Sequence, residues 1–276
     1  MVQGANTSEP KKPTIALAIA GFDPSSGAGV TADLKVFAFY GIYGLSAIAA
    51  LTVQSTRGVR GVEPVSPEIL RRMLDCLAED VEISGIKIGM LATAGNVDAV
   101  CGFLARSGVP TARVVLDPVL RSSSGHELLS KEGINRLKSK LLPQVGWVTP
   151  NIEELGILAE MQVSTLEAVP EAAARLTAKY PGLNLVATGG HLDSPDDFLR
   201  TAEGSTQWFP GQRIDTSATH GTGCAFSSAL LARLLAGDPP VQAVHAAKAY
   251  VVQAIKAAKP VGKGAGPLHH LLYRLG

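Results

Sequence analysis

The feature that most constrains this chain is its punctuation: short apolar runs recur along its 276 residues, and most stop at glycine, proline or a carboxylate. Thr14–Ala20 ends at Gly21, Arg113–Leu116 at Asp117-Pro118, Gly146–Thr149 at Pro150-Asn151, and Leu183–Ala187 just before Gly189-Gly190; Leu45–Val53 and Ile86–Met90 are two further runs. Apolar runs this short, without polar alternation, suit strands buried on both faces, as in parallel sheets. Between them lie segments with helical spacing: Val30–Phe39, Pro67–Glu79, Val97–Arg106, Ile152–Ala159 and Ala168–Lys179. Ser66 is placed to cap the second of these, with Pro67 at its first position. Gln54–Gly61 reads as a loop, Thr206–Pro210 with Arg213–Asp215 as a β-ribbon, and Thr222–Leu235 and Val241–Lys259 as two closing helices. The alternation predicts an α/β fold: a mostly parallel central sheet with helices on both faces. No linker, repeat or change of composition divides it. Residues 14–276 are therefore expected to form a single domain behind a flexible tail at 1–13.

Composition removes several classes of function. Lys+Arg 25 against Asp+Glu 24 leaves a net charge of +1. That is no electrostatic footprint for nucleic acid, and no nucleic-acid partner is expected. The longest apolar stretch, Leu45–Val53, is far short of a bilayer span and is broken by Ser46 and Thr52, so no membrane partner is expected either. Three widely spaced cysteines, Cys76, Cys101 and Cys224, make neither a disulfide framework nor a zinc site. With a polar N-terminus lacking a secretory core, they point to the cytoplasm.

In parallel sheets ligands sit beyond the carboxyl ends of the strands. The residues found there are Asp23, Gln54, Met90, Asp117, Asn151, Gly189-Gly190 and the loop Thr219–Cys224. In Thr219-His220-Gly221-Thr222-Gly223-Cys224 two glycines lead into a helix, whose free amides and dipole form a site for an anion such as a transferring phosphoryl group. On spacing alone, a glycine turn before an alanine-rich core helix fits equally well. Cys224 falls in the first helical turn, where the dipole is expected to lower its pKa; the plainer reading is a buried structural cysteine, to which Cys76 and Cys101 are assigned. Asp117 and Glu154 follow strands beside this loop and suit Mg²⁺, although each also fits a turn or a cap. Gly21–Gly29 is glycine- and serine-rich but lacks the Gly-Lys-Ser/Thr of a nucleotide P-loop, and its glycines are wrongly spaced for a dinucleotide fingerprint. Asp33, on the following helix, reads either as a grip on a small polar substrate or as a solvated helix charge.

Taken in order, these motifs resemble the hydroxymethylpyrimidine/phosphomethylpyrimidine kinases of thiamine biosynthesis, in the ribokinase superfamily. The resemblance runs from about Ile15 to His270. It is carried by Ala20–Gly29 with Ala32-Asp33-Leu34-Lys35, Gln54–Val59, Lys87-Ile88-Gly89-Met90-Leu91, Asp117-Pro118-Val119, Thr149-Pro150-Asn151 with Glu154, Gly189-Gly190-His191, Thr219–Cys224 and Gly264–His270. It implies a ribokinase-like fold and a homodimer. It implies, too, an ATP- and Mg²⁺-dependent kinase that phosphorylates 4-amino-5-hydroxymethyl-2-methylpyrimidine and then the monophosphate. Gly21, Asp33, Gln54, Met90 and Val119 match the family's pyrimidine pocket, and Gly221, Thr222, Gly223 and Cys224 its catalytic anion hole. Asp117, Asn151, Glu154, Thr188 and Gly190 match the nucleotide side, with Asp117 and Glu154 at the metal. A glutamine amide, both donor and acceptor, suits an aminopyrimidine edge, and a polarizable methionine suits its ring face. Departures are Thr188 where the family usually has lysine, Ser26, Phe22 and the stretch Arg121–Ser124. The alternatives are a pyridoxal/pyridoxine kinase and a non-catalytic pyrimidine-binding relative.

Overall fold

The computed structural model describes residues 12–122, 125–190 and 194–271. Most of the expected flexible tail (residues 1–11), Ser123 and Ser124 of the departing stretch, and His191 lie outside the described residues. The strands are β1 (Ile15–Phe22), β2 (Tyr43–Ser55), β3 (Gly58–Pro64), β4 (Gly85–Ile88), β5 (Val114–Leu116), β6 (Trp147–Val148), β7 (Asn184–Ala187), β8 (Asp197–Arg200) and β9 (Thr206–Phe209). They form one sheet in the order β3-β2-β1-β4-β5-β6-β7-β8-β9. Six strands, from β2 through β7, run parallel to their neighbours, and the antiparallel pairs β2–β3, β7–β8 and β8–β9 close the two edges.

Eight helices flank the sheet among the described residues: α1 (Gly29–Phe39), α2 (Pro67–Asp80), α3 (Ala94–Ser107), α4 (Lys131–Arg136), α5 (Ile152–Ala159), α6 (Val169–Lys179), α7 (Thr222–Leu235) and α8 (Pro240–Lys256). Ser66 caps α2 as expected, its side chain accepting from Ile69 N. Successive side chains of β1 point to opposite faces, and the core divides accordingly. Leu17 and Ile19 join a cluster with Leu70, Leu74, Val100, Leu155 and Leu176, under α2, α3, α5 and α6. Ala16, Ala18 and Ala20 join Val36, Phe37, Ala229, Leu230 and Val244, under α1, α7 and α8. Small residues on that second face bring α1 and α7 close to the strand ends, where two glycine loops meet.

Two segments differ from expectation. Gln54–Gly61 is not a loop but a hairpin: β2 turns at Thr56-Arg57 and returns as β3, paired antiparallel over Ala50–Ser55. The partner of Thr206–Phe209 is β8, not Arg213–Asp215, because Asp197–Arg200 pairs with it residue for residue and continues the sheet from β7. Among the described residues no helix is long and apolar enough to cross a membrane.

Candidate active site

Strand β1 sits where the sheet changes direction, with β2 on one side and β4 on the other. Above its carboxyl end opens a cavity of about 1180 Å³. The site residues singled out from the sequence, except Asp33 and Gly189, line it: Gly21, Gln54, Met90, Val119, Asp117, Asn151, Glu154, Thr188, Gly190 and the run Gly221–Cys224. The general rule for parallel sheets therefore located the cavity.

At one end, Gly21 lies against Met90: a Cβ there would stand 3.0 Å from the Met90 sulfur and 3.7 Å from the Ala50 carbonyl oxygen. Gln54 lies at a bulge, where the β2–β3 register slips between Val53 and Gln54; such slips re-aim a side chain. At the other end, Asn151 and Glu154 form a reciprocal cap on α5. Asn151 Oδ1 accepts from Glu154 N at 2.9 Å, and Glu154 Oε2 accepts from Asn151 N at 3.0 Å. Glu154 Oε1 also accepts from Leu120 N at 3.2 Å. Thr188 is tied beside them, its N–H donating to Pro150 O at 2.9 Å.

Between the two ends lies the loop that opens α7. Gly221 has φ +87°, and a Cβ on it would collide with the Gly27 carbonyl oxygen. One glycine loop is thus packed directly on the other. A Cβ on Gly223 would be 3.7 Å from Asp117 Oδ2, so the helix amides and the Asp117 carboxylate face each other. The Cys224 thiol is buried within electrostatic reach of Asp117, Asp33 and Lys87. The expectation of a thiol with lowered pKa is overturned. Burial pushes Cys224 up, to about 12, and Asp117 and Asp33 add to this against the pull of Lys87. Burial and nearby carboxylates outweigh the helix dipole, and the thiol keeps its proton.

Asp33 is also placed differently from both readings. It neither lines the cavity nor meets solvent: it is wholly buried and paired with Lys87, itself wholly buried on β4, at 3.0 Å. Ser228 Oγ donates to Asp33 Oδ1 at 2.8 Å, and Lys87 Nζ stands 3.9 Å from Asp117 Oδ2. The floor of the site is therefore a charged layer of Asp33, Lys87 and Asp117. Burial raises Asp33 and Asp117 above the usual carboxylate range, and Lys87 pulls both down. Sequence reasoning missed Lys87 as a site residue, although a lysine inside the buried strand Gly85–Ile88 is itself a signal. It gave no role to Asp23 or His220, although both lie on strand-end segments it had singled out. Asp23 accepts from Ser25 N, Ser25 Oγ, Gly27 N and Ala28 N, and His220 Nε2–H donates to its Oδ2 at 2.8 Å. The Asp-Pro-Ser-Ser-Gly turn was the available signal for this knot.

Asp117 and Glu154 were also expected at the metal. Glu154 is pushed up to about 8, first by burial and next by the charge of Asp117. A buried glutamate raised by a neighbouring aspartate at an anion-binding loop fits a divalent cation that also takes phosphate oxygens and water. Because Glu154's pKa in the folded state lies above its unfolded value near 4.5, folding favours its protonated form. That stability is complete below about pH 4.5 and is lost as the pH rises to about 8, a loss on the order of a few kcal/mol. Glu154→Gln should therefore flatten the fall of Tm between about pH 5 and pH 8, measured without metal. Equal slopes in both proteins would contradict the assignment of this charge to Glu154.

The chain matches the profile of a family described as phosphomethylpyrimidine kinase over residues 23–269. It is 42% identical over 259 residues to a hydroxymethylpyrimidine/phosphomethylpyrimidine kinase of Salmonella typhimurium, covering 92% of this chain and 96% of that one. Two solved structures share its fold at 30% identity. One is a pyridoxal kinase of Bacillus subtilis in an ADP complex (TM-score 0.85, covering 96% of this chain and 100% of that one). The other is a phosphomethylpyrimidine kinase of Clostridium difficile (TM-score 0.77, covering 88% and 99%).

Proposed function

The chain belongs to the phosphomethylpyrimidine kinase family, and on that premise we propose how its cavity works. ATP phosphorylates the hydroxymethyl group of 4-amino-5-hydroxymethyl-2-methylpyrimidine, and a second ATP phosphorylates the monophosphate. The observation that carries this reading is the order of groups along one cavity: Gln54 and Met90 at one end, the loop Gly221–Cys224 facing Asp117 in the middle, and Asn151, Glu154, Thr188 and Gly190 at the other. The pyrimidine ring is assigned to the first end and the nucleotide to the last. The amides of Gly221–Cys224 take the transferring phosphoryl group, whose spread of charge calls for positioning and neutralisation more than for a strong base. Asp117 and Glu154 would hold Mg²⁺, which supplies charge neutralisation at the phosphates. Product analysis by mass spectrometry, with monophosphate appearing before diphosphate, tests the sequence of steps; monophosphate alone would remove the second.

Cys224 keeps its proton in the free site, so its contribution is to hydrogen-bond and orient the substrate hydroxyl in the first step. The second acceptor is a phosphate, already ionised. Cys224→Ala should lower kcat of the first phosphorylation by about 10²-fold, the scale for a reacting group left out of position, and the second by less than about tenfold. Equal losses would contradict this division. Asp33 acts in the proposal through Lys87, beneath the site, and not as a direct contact with the ring. Thr188 brings no charge to the nucleotide end. Lys248, which also lines the cavity, is already held by Pro195 O, Asp197 and Phe209 O at 2.8 to 2.9 Å. Weaker nucleotide binding than in relatives with lysine at position 188 follows.

A second reading, phosphorylation of pyridoxal, is favoured by the likeness to the Bacillus subtilis pyridoxal kinase. The proposal also includes one domain over residues 14–276, a cytoplasmic location and a homodimer. The shared sheet supports the first, and the outward apolar side chains Tyr43, Leu51 and Val53 on β2 support the last.

A further inference from the structure

His220 lies at the seam of the two glycine loops and on the cavity wall next to Gln54. Its ring fits there because residue 27 is glycine; a Cβ at that position would collide with His220 Cδ2. Ring Nε2 stands 2.8 Å from Asp23 Oδ2 and 3.0 Å from Gln54 Nε2. Those partners make opposite demands on one nitrogen: the carboxylate needs its proton, and the amide N–H needs its lone pair. Asp23 decides between them. Burial would raise it, but hydrogen bonds from His220 and Ser25 hold it down to about 2, so it is ionised and takes the proton.

Gln54 must then turn its oxygen, and not its NH₂, toward His220; the two amide ends are exchanged by a half-turn. The neighbouring Thr52 requires the same orientation. Its single hydroxyl proton goes to Phe22 O at 3.0 Å, so toward Gln54, 3.2 Å away, it offers only a lone pair, which an amide N–H satisfies. In this arrangement every proton has an acceptor. One N–H and one oxygen lone pair of Gln54 remain side by side for a ligand. That pair matches a ring nitrogen adjacent to an exocyclic amine, and it does not match a pyridine alcohol bearing no such amine.

We propose that His220, held by Asp23, is a positioning residue that fixes the orientation of the Gln54 amide and thereby selects an aminopyrimidine over a pyridine alcohol. The inference rests on the assignment of the substrate ring to the Gln54 end of the cavity. It separates from mere loop packing, because packing would not act through Gln54 alone.

The test is steady-state kinetics with Mg-ATP and either 4-amino-5-hydroxymethyl-2-methylpyrimidine or pyridoxal, on wild type, His220→Ala, His220→Gln, Gln54→Ala and the double variant His220→Ala/Gln54→Ala. His220→Ala should raise KM for the pyrimidine about tenfold while KM for ATP stays within about twofold, since a mis-set polar group costs binding of the ring it reads. The ratio of kcat/KM for pyrimidine to that for pyridoxal should fall by about tenfold, and in the Gln54→Ala background His220→Ala should change KM by less than about twofold. His220→Gln, which keeps an N–H for Asp23, should recover most of the loss. Parallel rises in both KM values, an unchanged substrate ratio, or full additivity with Gln54→Ala would overturn the proposal. Absence of pyrimidine turnover in the wild type would instead overturn the functional reading beneath it, and this selection with it. Melting curves on each variant, and His220→Gln as the milder change, keep a folding defect distinguishable from lost positioning.

Discussion

Lys87→Met should destabilise the protein by about 3–5 kcal/mol, the loss found when one partner of a buried ion pair is removed. Lys87 and Asp33 are both wholly buried, 3.0 Å apart, and Asp117 Oδ2 stands 3.9 Å from the same ammonium. Without Lys87, two carboxylates remain in a region with little water and no counter-charge. They must either take up protons or stay ionised at high cost. For a chain of this size a change of about 3–5 kcal/mol corresponds to a fall in Tm of roughly 10 °C. A second substitution separates charge from packing. Lys87→Met/Asp33→Leu replaces the closest pair with apolar volume and leaves Asp117 as the one carboxylate without Lys87, so it should recover part of the lost Tm. Thermal melts of the three proteins check this. A single variant within about 1 kcal/mol of wild type, or a double variant no better than the single, would contradict the account of the floor of the site.

Gly221→Ala should lower kcat by about 10²- to 10³-fold, the range for loss of an aligned oxyanion donor. Two features make this position intolerant. Its φ of +87° disfavours any side chain, and the added Cβ would collide with the Gly27 carbonyl oxygen of the facing loop. The loop must back away, and the first amides of α7 move with it, out of line with Asp117. The rest of α7 is packed on Ala16, Ala18 and Ala20 and should hold, so the loss of stability should stay near about 1–3 kcal/mol, typical of local backbone strain. Gly102→Ala provides the contrast. It lies on α3 with only the Arg106 guanidinium 3.5 Å from an added Cβ, and it should leave kcat unchanged and raise stability by up to about 1 kcal/mol. Stopped-flow or coupled assays of both variants read the difference; a Gly221→Ala enzyme with near-normal kcat would remove the loop from the mechanism.

What the sequence disclosed, and what it hid, follows the range of the interactions concerned. Helices α5 and α7 begin where their residues indicate, because Asn151 with Glu154, and Gly221, start a helix within one turn. The strand ends were equally plain, since Gly21, Asp117-Pro118 and Pro150-Asn151 interrupt apolar runs locally. Strand β3 was hidden because Arg60, Glu63 and Pro64 break any apolar pattern, and its pairing with β2 makes it a strand. Strand β8 starts on Asp197, whose side chain is held by Lys248, 51 residues away. The charge state of Cys224 was misjudged for the same reason. The helix dipole is visible in the sequence, whereas Asp117, Asp33 and Lys87 arrive from three separate elements. Asp33 could not be read correctly without knowing that α1 turns it onto β4.

The most direct measurement is an ATP-consumption assay with Mg²⁺, offering the hydroxymethylpyrimidine, its monophosphate and pyridoxal in parallel. Turnover on both pyrimidines, exceeding that on pyridoxal, is the predicted result. Turnover on pyridoxal alone, or ligand binding without turnover on any of the three, would contradict the account.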